Sequence, residues 1–375
     1  MDALVKSAIS HWAPRFVANG IVLTDFEEVT QSIASWDEWC GAWSRRAAVH
    51  EALGRETLAQ GFKRSAGEHL TRAGVYYHFA KFLFVHKPDE LRAAHAKAVE
   101  CRNAALPLLD PPGERVAIPY AGSQLYGNLR KPTSALRSSS TAARSVDREV
   151  AGTGQYRPPL VIMCMGLDSA KEEMEAYEAT FLARGVATLA FDGPGQGEGE
   201  HDWPLRGDYE AVVKAVVDFV ETRADVDAAR VGLWGVSLGG YFAPRAAAFE
   251  KRVKACIALS GPFDWHAAWE QLPALSQETF RVRSKSKTLA DAHEYTRKLS
   301  LVGVAKNITC PLFVVAGQQD RLVPWQDALR LADEASGPVV RLFIEDGNHV
   351  ANNRGYQYRP QTADWMATQL GVARH

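Results

Sequence analysis

The chain has 375 residues, a formal net charge of −1 and 46% hydrophobic residues, enough to bury a sizeable core. That length suits two folding units of roughly 100 to 200 residues each. A near-neutral charge with both signs interspersed excludes the profile of a nucleic-acid groove or of a protein drawn to acidic lipid.

The chain opens on MDALVKSAISHWAPRF, which has no basic segment followed by a continuous apolar one, and no apolar run reaches 18 residues. Export and membrane insertion are not expected. The five cysteines, Cys40, Cys101, Cys164, Cys256 and Cys310, are scattered, odd in number and without ligand spacing, so reduced thiols in a cytoplasmic protein are expected. Residues 1 to about 108 repeat apolar positions every three or four residues, as in AWSRRAAVHEAL, HLTRAGVYYHFAKFLF and ELRAAHAKAVECRNAALPLL. This spacing predicts an all-helical N-terminal domain over 1–110. Leu109-Asp110-Pro111-Pro112-Gly113 then stops the last helix, because proline cannot continue helical hydrogen bonding, and opens a second domain over 111–375. Tyr76, Tyr77 and Phe79 cluster on one of the helices. Helical core packing is the plain reading of that cluster, and a wall of the substrate site the sharper one.

From Glu114 the runs RVAIPYAG and QLYGNLRKP predict the opening antiparallel strands of a sheet. The Ser/Ala/Arg/Gly-rich stretch between Thr133 and Pro158 is too polar to pack and reads as a surface loop. Beyond it, apolar runs alternate with amphipathic segments: LVIMCMG, a helix from Lys171, VATLAFDG, a helix from Asp208, VGLWG, a helix from Leu238, CIALSG, then PLFVVAG and VVRLFIED. Strands apolar on both faces and separated by helices require a parallel sheet covered on both sides. Residues 264 to about 306 break the alternation with helical material, which predicts a cap over the strand ends. Trp265, His266 and Trp269 in that cap suit its core and a substrate wall equally.

Gly235-Val236-Ser237-Leu238-Gly239 is a G-x-S-x-G motif between a buried strand and a helix. A serine on so tight a strand-to-helix turn is held with its Oγ exposed, and the flanking glycines permit close packing. Serine alone is a weak nucleophile, so a base and an orienting acid are expected downstream in the order Ser, Asp, His. Asp320 follows the run PLFVVAG, and His349 follows VVRLFIED. Parallel strands place both on one edge of the sheet. Asp346, three residues before His349, is the rival acid and suits a turn instead. Two donors for a developing oxyanion are expected from the backbone N–H of Leu238 and of Leu167, the latter beside Gly166.

The glycine-rich DGPGQGEG over 192–199 fits neither the dinucleotide nor the P-loop spacing, and none of the eleven histidines forms H-E-x-x-H. No metal or cofactor is implied. Together these features predict the α/β-hydrolase fold: a mostly parallel sheet flanked by helices, with a helical N-terminal domain and a helical cap.

The chain resembles the 2,6-dihydroxypseudooxynicotine hydrolase-like proteins, related to the fungal yellowish-green pigment hydrolases that shorten polyketides. The resemblance rests on YYHFAKFLF, LLDPPGERVAIPY, MGLDSAKEE, ATLAFDGPGQGEGE, DYEAVVKAVVDF, GVSLGGYFAPRAAA and the GQQD and DGNH turns. It implies helices that help cover the active site, a homodimer, and hydrolysis of a carbon–carbon bond beside a ketone in a β-diketone, acyl-phenol or polyketide-type substrate. It also implies a cap glutamate near that substrate, for which WHAAWEQL offers Glu270. The triad Ser237, Asp320 and His349 serves an ester or lactone equally well. A ligand-binding protein that has kept the fold is a reading from another class, and an acyltransferase is a third.

Overall fold

The computed structural model describes residues 2–133 and 156–372; most of the polar stretch assigned to a surface loop lies outside them. Five helices come first: α1 (Ala3–Ala18), α2 (Leu23–Ser32), α3 (Trp39–Ala59), α4 (Lys63–Lys81) and α5 (Pro88–Ala105). Their inward positions supply an aromatic-rich core in which Phe16 stacks on Phe79 at 3.9 Å and packs edge-on against Trp39 and Phe82. Leu275, Leu322 and Val323, which come from the cap and from the turn after Asp320, belong to the same core. The helices are therefore bonded by apolar contact to the loops that surround the candidate site.

The sheet has eight strands in the order β1-β2-β4-β3-β5-β6-β7-β8. β1 (Gly113–Tyr120) and β2 (Ser123–Arg130) pair antiparallel with each other, and β2 with β4 (Ala187–Asp192). The pairs among β4, β3 (Leu160–Cys164), β5 (Val231–Val236), β6 (Val253–Leu259), β7 (Leu312–Gly317) and β8 (Val339–Ile344) are all parallel. Alternate side chains serve opposite faces, as strand geometry requires. Leu160 and Ile162 join the core under α7 (Glu210–Glu221), α8 (Gly239–Phe249) and α12 (Trp325–Glu334). Val161 and Met163 join the core under α6 (Glu175–Leu182) and α13 (Gly355–Gln369). This is the α/β-hydrolase fold. Between β6 and β7 the short α9 (Trp265–Ala268), α10 (Ala274–Arg283) and α11 (Leu289–Tyr295) form the inserted helical layer.

A layer of buried ion pairs joins the N-terminal helices to the sheet. Arg15 of α1 donates to Glu173 at 2.6 Å and to Asp168 at 2.7 Å. Arg102 of α5 and Arg130 of β2 both donate to Glu175 at 2.7 Å. Lys81 lies 3.4 Å from Glu200, which also takes Arg283 of the cap at 2.9 Å. Burial alone would push the Glu173 and Glu200 carboxyls up; the adjoining cations overcome it and hold Glu173 far below the carboxylate range and Glu200 at about 2. Such pairs add little net stability, but removing one member strands a buried charge at a cost of about 3 to 5 kcal/mol. No helix among the described residues is long and apolar enough to cross a membrane.

Candidate active site

Ser237 directly follows β5 at φ 55°, in the left-handed region that a side chain reaches only at a cost of about 1 to 3 kcal/mol. The surrounding glycines make the turn possible. A Cβ on Gly235 would stand 1.9 Å from the Gly239 carbonyl oxygen, and one on Gly239 would stand 2.1 Å from that of Cys164. The strained serine is anchored by its own N–H, which donates to the Leu259 carbonyl at 2.9 Å.

The Ser237 hydroxyl lies 2.9 Å from His349 Nε2, and His349 Nδ1 lies 2.7 Å from Asp320 Oδ2. The other carboxylate oxygen of Asp320 accepts from the N–H groups of Leu322 at 2.8 Å and Val323 at 3.0 Å. Those two residues belong to the N-terminal core, so the helices help hold the acid. After His349 the chain turns through Val350 and Ala351 at φ 61° and 48°, and the Val350 N–H donates to Ser260 Oγ at 3.1 Å. Asp346 faces outward and pairs with Arg354 at 2.8 Å, which leaves Asp320 alone with the histidine.

Neither the Leu238 nor the Leu167 N–H has an acceptor within the described protein. The peptide that carries Leu167 is nevertheless held. The side-chain amide of Gln196 donates to the carbonyls of Met165 at 2.7 Å and of Gly166 at 2.6 Å. The Gly166 oxygen and the Leu167 N–H share one planar trans peptide, so fixing the oxygen aims the N–H the opposite way. Tyr209 donates to Gln196 Oε1 at 3.1 Å and stacks on Phe242 at 3.8 Å, which locks the glutamine in turn. The glycine-rich turn that resembles a phosphate loop thus supports the candidate oxyanion site. The signal for it in the sequence is one glutamine among glycines at the active edge.

Two small cavities, of about 30 and 10 Å³, flank Ser237 and His349. Arg15 lines both, and Trp12 lines the larger together with Leu167, Trp265 and Ser276. Each is of the size that holds a water or so, so a substrate must displace side chains to enter. Arg15 and Trp12 were not legible as site residues, because helical periodicity says which face is buried but not what it meets. Arg15 also ties α1 to the loop after Leu167: it donates to Asp168 and, at 3.0 Å, to Ser169. A larger cavity, about 470 Å³ beside Trp203 and Tyr295, is lined by none of these residues.

The cap meets the site through a different residue from the one expected. The side chain of Glu270 is 82% exposed, lies 3.9 Å from His293 and lines neither cavity at Ser237. Trp265, Trp269, Leu272 and Ser276, spaced four, three and four residues apart around it, are buried instead. Burying apolar rings on that face turns the carboxylate one position away into water. Trp265 alone of the expected cap residues lines the cavity. His266 stacks on His293 at 4.2 Å, and its Nδ1 lies 3.1 Å from the His293 carbonyl; Trp269 packs edge-on against Phe280. Tyr76 and Tyr77 lie in the helical layer, where their hydroxyls donate to Asp25 at 2.6 Å and Glu51 at 2.9 Å. They line neither cavity.

Two groups of possible metal ligands occur among the described residues, His95 with Glu200 and His201, and His95 with Glu172 and Asp192. The protein's own cations already serve both. Lys81 and Arg283 face Glu200, and Lys171 lies 2.6 Å from Glu172 and 2.7 Å from Asp192.

The family model of the prolyl oligopeptidase family matches residues 173–373. The 2,6-dihydropseudooxynicotine hydrolase of Paenarthrobacter nicotinovorans is 33% identical over 331 residues, 88% of this chain and 83% of that protein. The 20-hydroxy-prefusarin hydrolase of Gibberella moniliformis is 34% identical over 238 residues, which are 61% of this chain and 53% of that longer protein. The crystal structure of the 2,6-dihydroxy-pseudo-oxynicotine hydrolase superposes with a TM-score of 0.83 at 30% identity, covering 96% of this chain and 95% of that one.

Proposed function

The chain belongs to the prolyl oligopeptidase family and, within it, to the 2,6-dihydroxypseudooxynicotine hydrolase-like α/β-hydrolases; from that premise we propose that it is a serine hydrolase acting through Ser237, His349 and Asp320 on a small carbonyl substrate. The observation that carries the reading is the unbroken line from Asp320 through His349 to Ser237, beside two backbone N–H groups without acceptors. His349 takes the serine proton as Oγ attacks the carbonyl, Asp320 stabilises the resulting imidazolium, and Leu167 and Leu238 hold the oxyanion. Water then attacks the acyl-enzyme, with His349 again as base.

The bond proposed for cleavage is a carbon–carbon bond beside a ketone, in a β-diketone or acyl-phenol. The named relatives, hydrolases of dihydropseudooxynicotine and of 20-hydroxy-prefusarin, support that substrate class. An ester or lactone is the second reading, favoured by one observation: Glu270, the acid that could assist a carbon leaving group, faces solvent. A fluorophosphonate is expected to label Ser237, and turnover of a β-diketone against an aryl ester decides between the bonds. Cleavage of neither, or labelling elsewhere, would overturn the proposal. The homodimer implied by the resemblance belongs to the same proposal, and light scattering reads it directly.

A further inference from the structure

One residue in the wall of the cavity beside Ser237 carries a buried donor without an acceptor. Trp265 is 3% exposed, lines that cavity, and its Nε1–H has no acceptor. The ring is held: the Trp265 backbone N–H donates to Leu299 at 3.0 Å, and the indole stacks on Phe280 at 5.7 Å between centroids. Buried donors are rarely left unmade, because the lost hydration is not returned. The Ser276 hydroxyl, in the same wall, also lacks a partner among the described residues. The one arginine of that cavity is spent, since Arg15 is bound by Asp168, Ser169 and Glu173.

We propose that the Trp265 indole N–H is the donor to a second substrate oxygen, one that lies β to the carbonyl attacked by Ser237. The proposal rests on the hydrolase reading above and names the substrate feature that the cap recognises. In a β-diketone the serine oxygen bonds to the first carbonyl carbon, and the bond from that carbon to the central carbon breaks. The electron pair passes to the central carbon and onto the second oxygen as an enolate. Trp265 hydrogen-bonds that oxygen while His349 delivers to the central carbon the proton it took from Ser237. Water then releases the acid, so one diketone and one water give one carboxylic acid and one ketone.

The test pairs a ligand with and without the second oxygen against a protein with and without the N–H. Benzoylacetone and butyrophenone are bound to the Ser237→Ala chain and to the same chain carrying Trp265→Phe, with affinities read by calorimetry. The expected result is a loss of about tenfold or more for benzoylacetone on removal of the N–H, with butyrophenone within about twofold. Equal losses for both ligands, no loss for either, or no binding of benzoylacetone to either chain would overturn the proposal. The Ser237→Ala chain carrying Trp265→Phe should keep the circular-dichroism spectrum and melting curve of Ser237→Ala alone, so that a loss confined to benzoylacetone reports the N–H and a disrupted fold with equal losses for both ligands overturns it. Turnover of benzoylacetone by the unaltered chain tests the bond separately. A diketone that binds through Trp265 but is not cleaved would sink the carbon–carbon reading and leave the donor in place.

Discussion

The two walls around Ser237 are built by different physics. On the sheet side the functional groups sit on strand ends and tight turns: a serine at φ 55°, an aspartate fixed by two backbone N–H groups, and a peptide pinned through the Gly166 oxygen by Gln196. On the helical side, α1 and the cap present side chains, Trp12, Arg15, Trp265 and Ser276, selected by helix phase and by which helices pack together. A backbone wall can be built almost one way only, because strand ends and tight turns have few conformers. A side-chain wall changes with one residue of register. On the proposed function, reaction type would reside on the rigid wall and substrate choice on the adaptable one.

Variants on the sheet wall should have the largest effects. Ser237→Ala is expected to lower kcat by at least about three orders of magnitude with an unchanged circular-dichroism spectrum and melting curve. Asp320→Asn should cost about three to four orders, because an amide facing His349 Nδ1 favours the wrong tautomer. Asp346→Asn should stay within about twofold, and a reversed ranking of the two in steady-state kinetics would reassign the acid.

Gln196→Leu sharpens the comparison further, since it removes support for backbone without touching the reacting groups. Released from Gln196, the Gly166 carbonyl no longer aims the Leu167 N–H, and kcat should fall roughly 10- to 100-fold with KM changed little. A rise in KM at constant kcat would instead place Gln196 in ground-state binding.

The ion layer that attaches the helical wall predicts acid sensitivity. Glu200 titrates at about 2 in the folded chain against 4.5 for the ordinary group, and Glu173 lies lower still. Above about pH 4.5 both states carry the charge and the stabilisation is fully present. Between 4.5 and 2 the unfolded chain binds protons that the folded chain does not, so stability falls as pH falls. Denaturant midpoints from pH 6 to 3 should decline over that window, and Glu200→Gln should flatten the decline. The smallest effect belongs to Glu270→Gln, which should leave turnover of diketone and ester alike within about twofold; a selective loss on the diketone would show that the cap rearranges on binding.

Legibility follows the same division. The runs VGLWG, CIALSG and PLFVVAG read as buried parallel strands because a sheet covered on both faces leaves no polar position in them. The distance between His349 and Ser237, 112 residues apart in the chain, is short because parallel strands deliver their C-terminal ends to one edge. Glu270 misleads because the cap is three short helices, too brief for periodicity to establish phase. Gln196 is not legible in the sequence because it acts on the carbonyls of Met165 and Gly166, 31 and 30 residues earlier, and no local pattern records that pairing.

What the sequence by itself determined was the order of elements, the strained turn at Ser237 and the chain order of serine, acid and histidine. These are consequences of local rules: strand patterning, glycine spacing and turn chemistry act over a few residues. Only the tertiary structure decided that Arg15 and Trp12 reach the site, that Glu270 turns away from it, and that Trp265 brings it an unpaired N–H. Those outcomes depend on how separate helices dock. Docking is fixed by the summed burial of many side chains and by ion pairs such as Arg15 with Glu173, 158 residues apart, which no window of sequence contains.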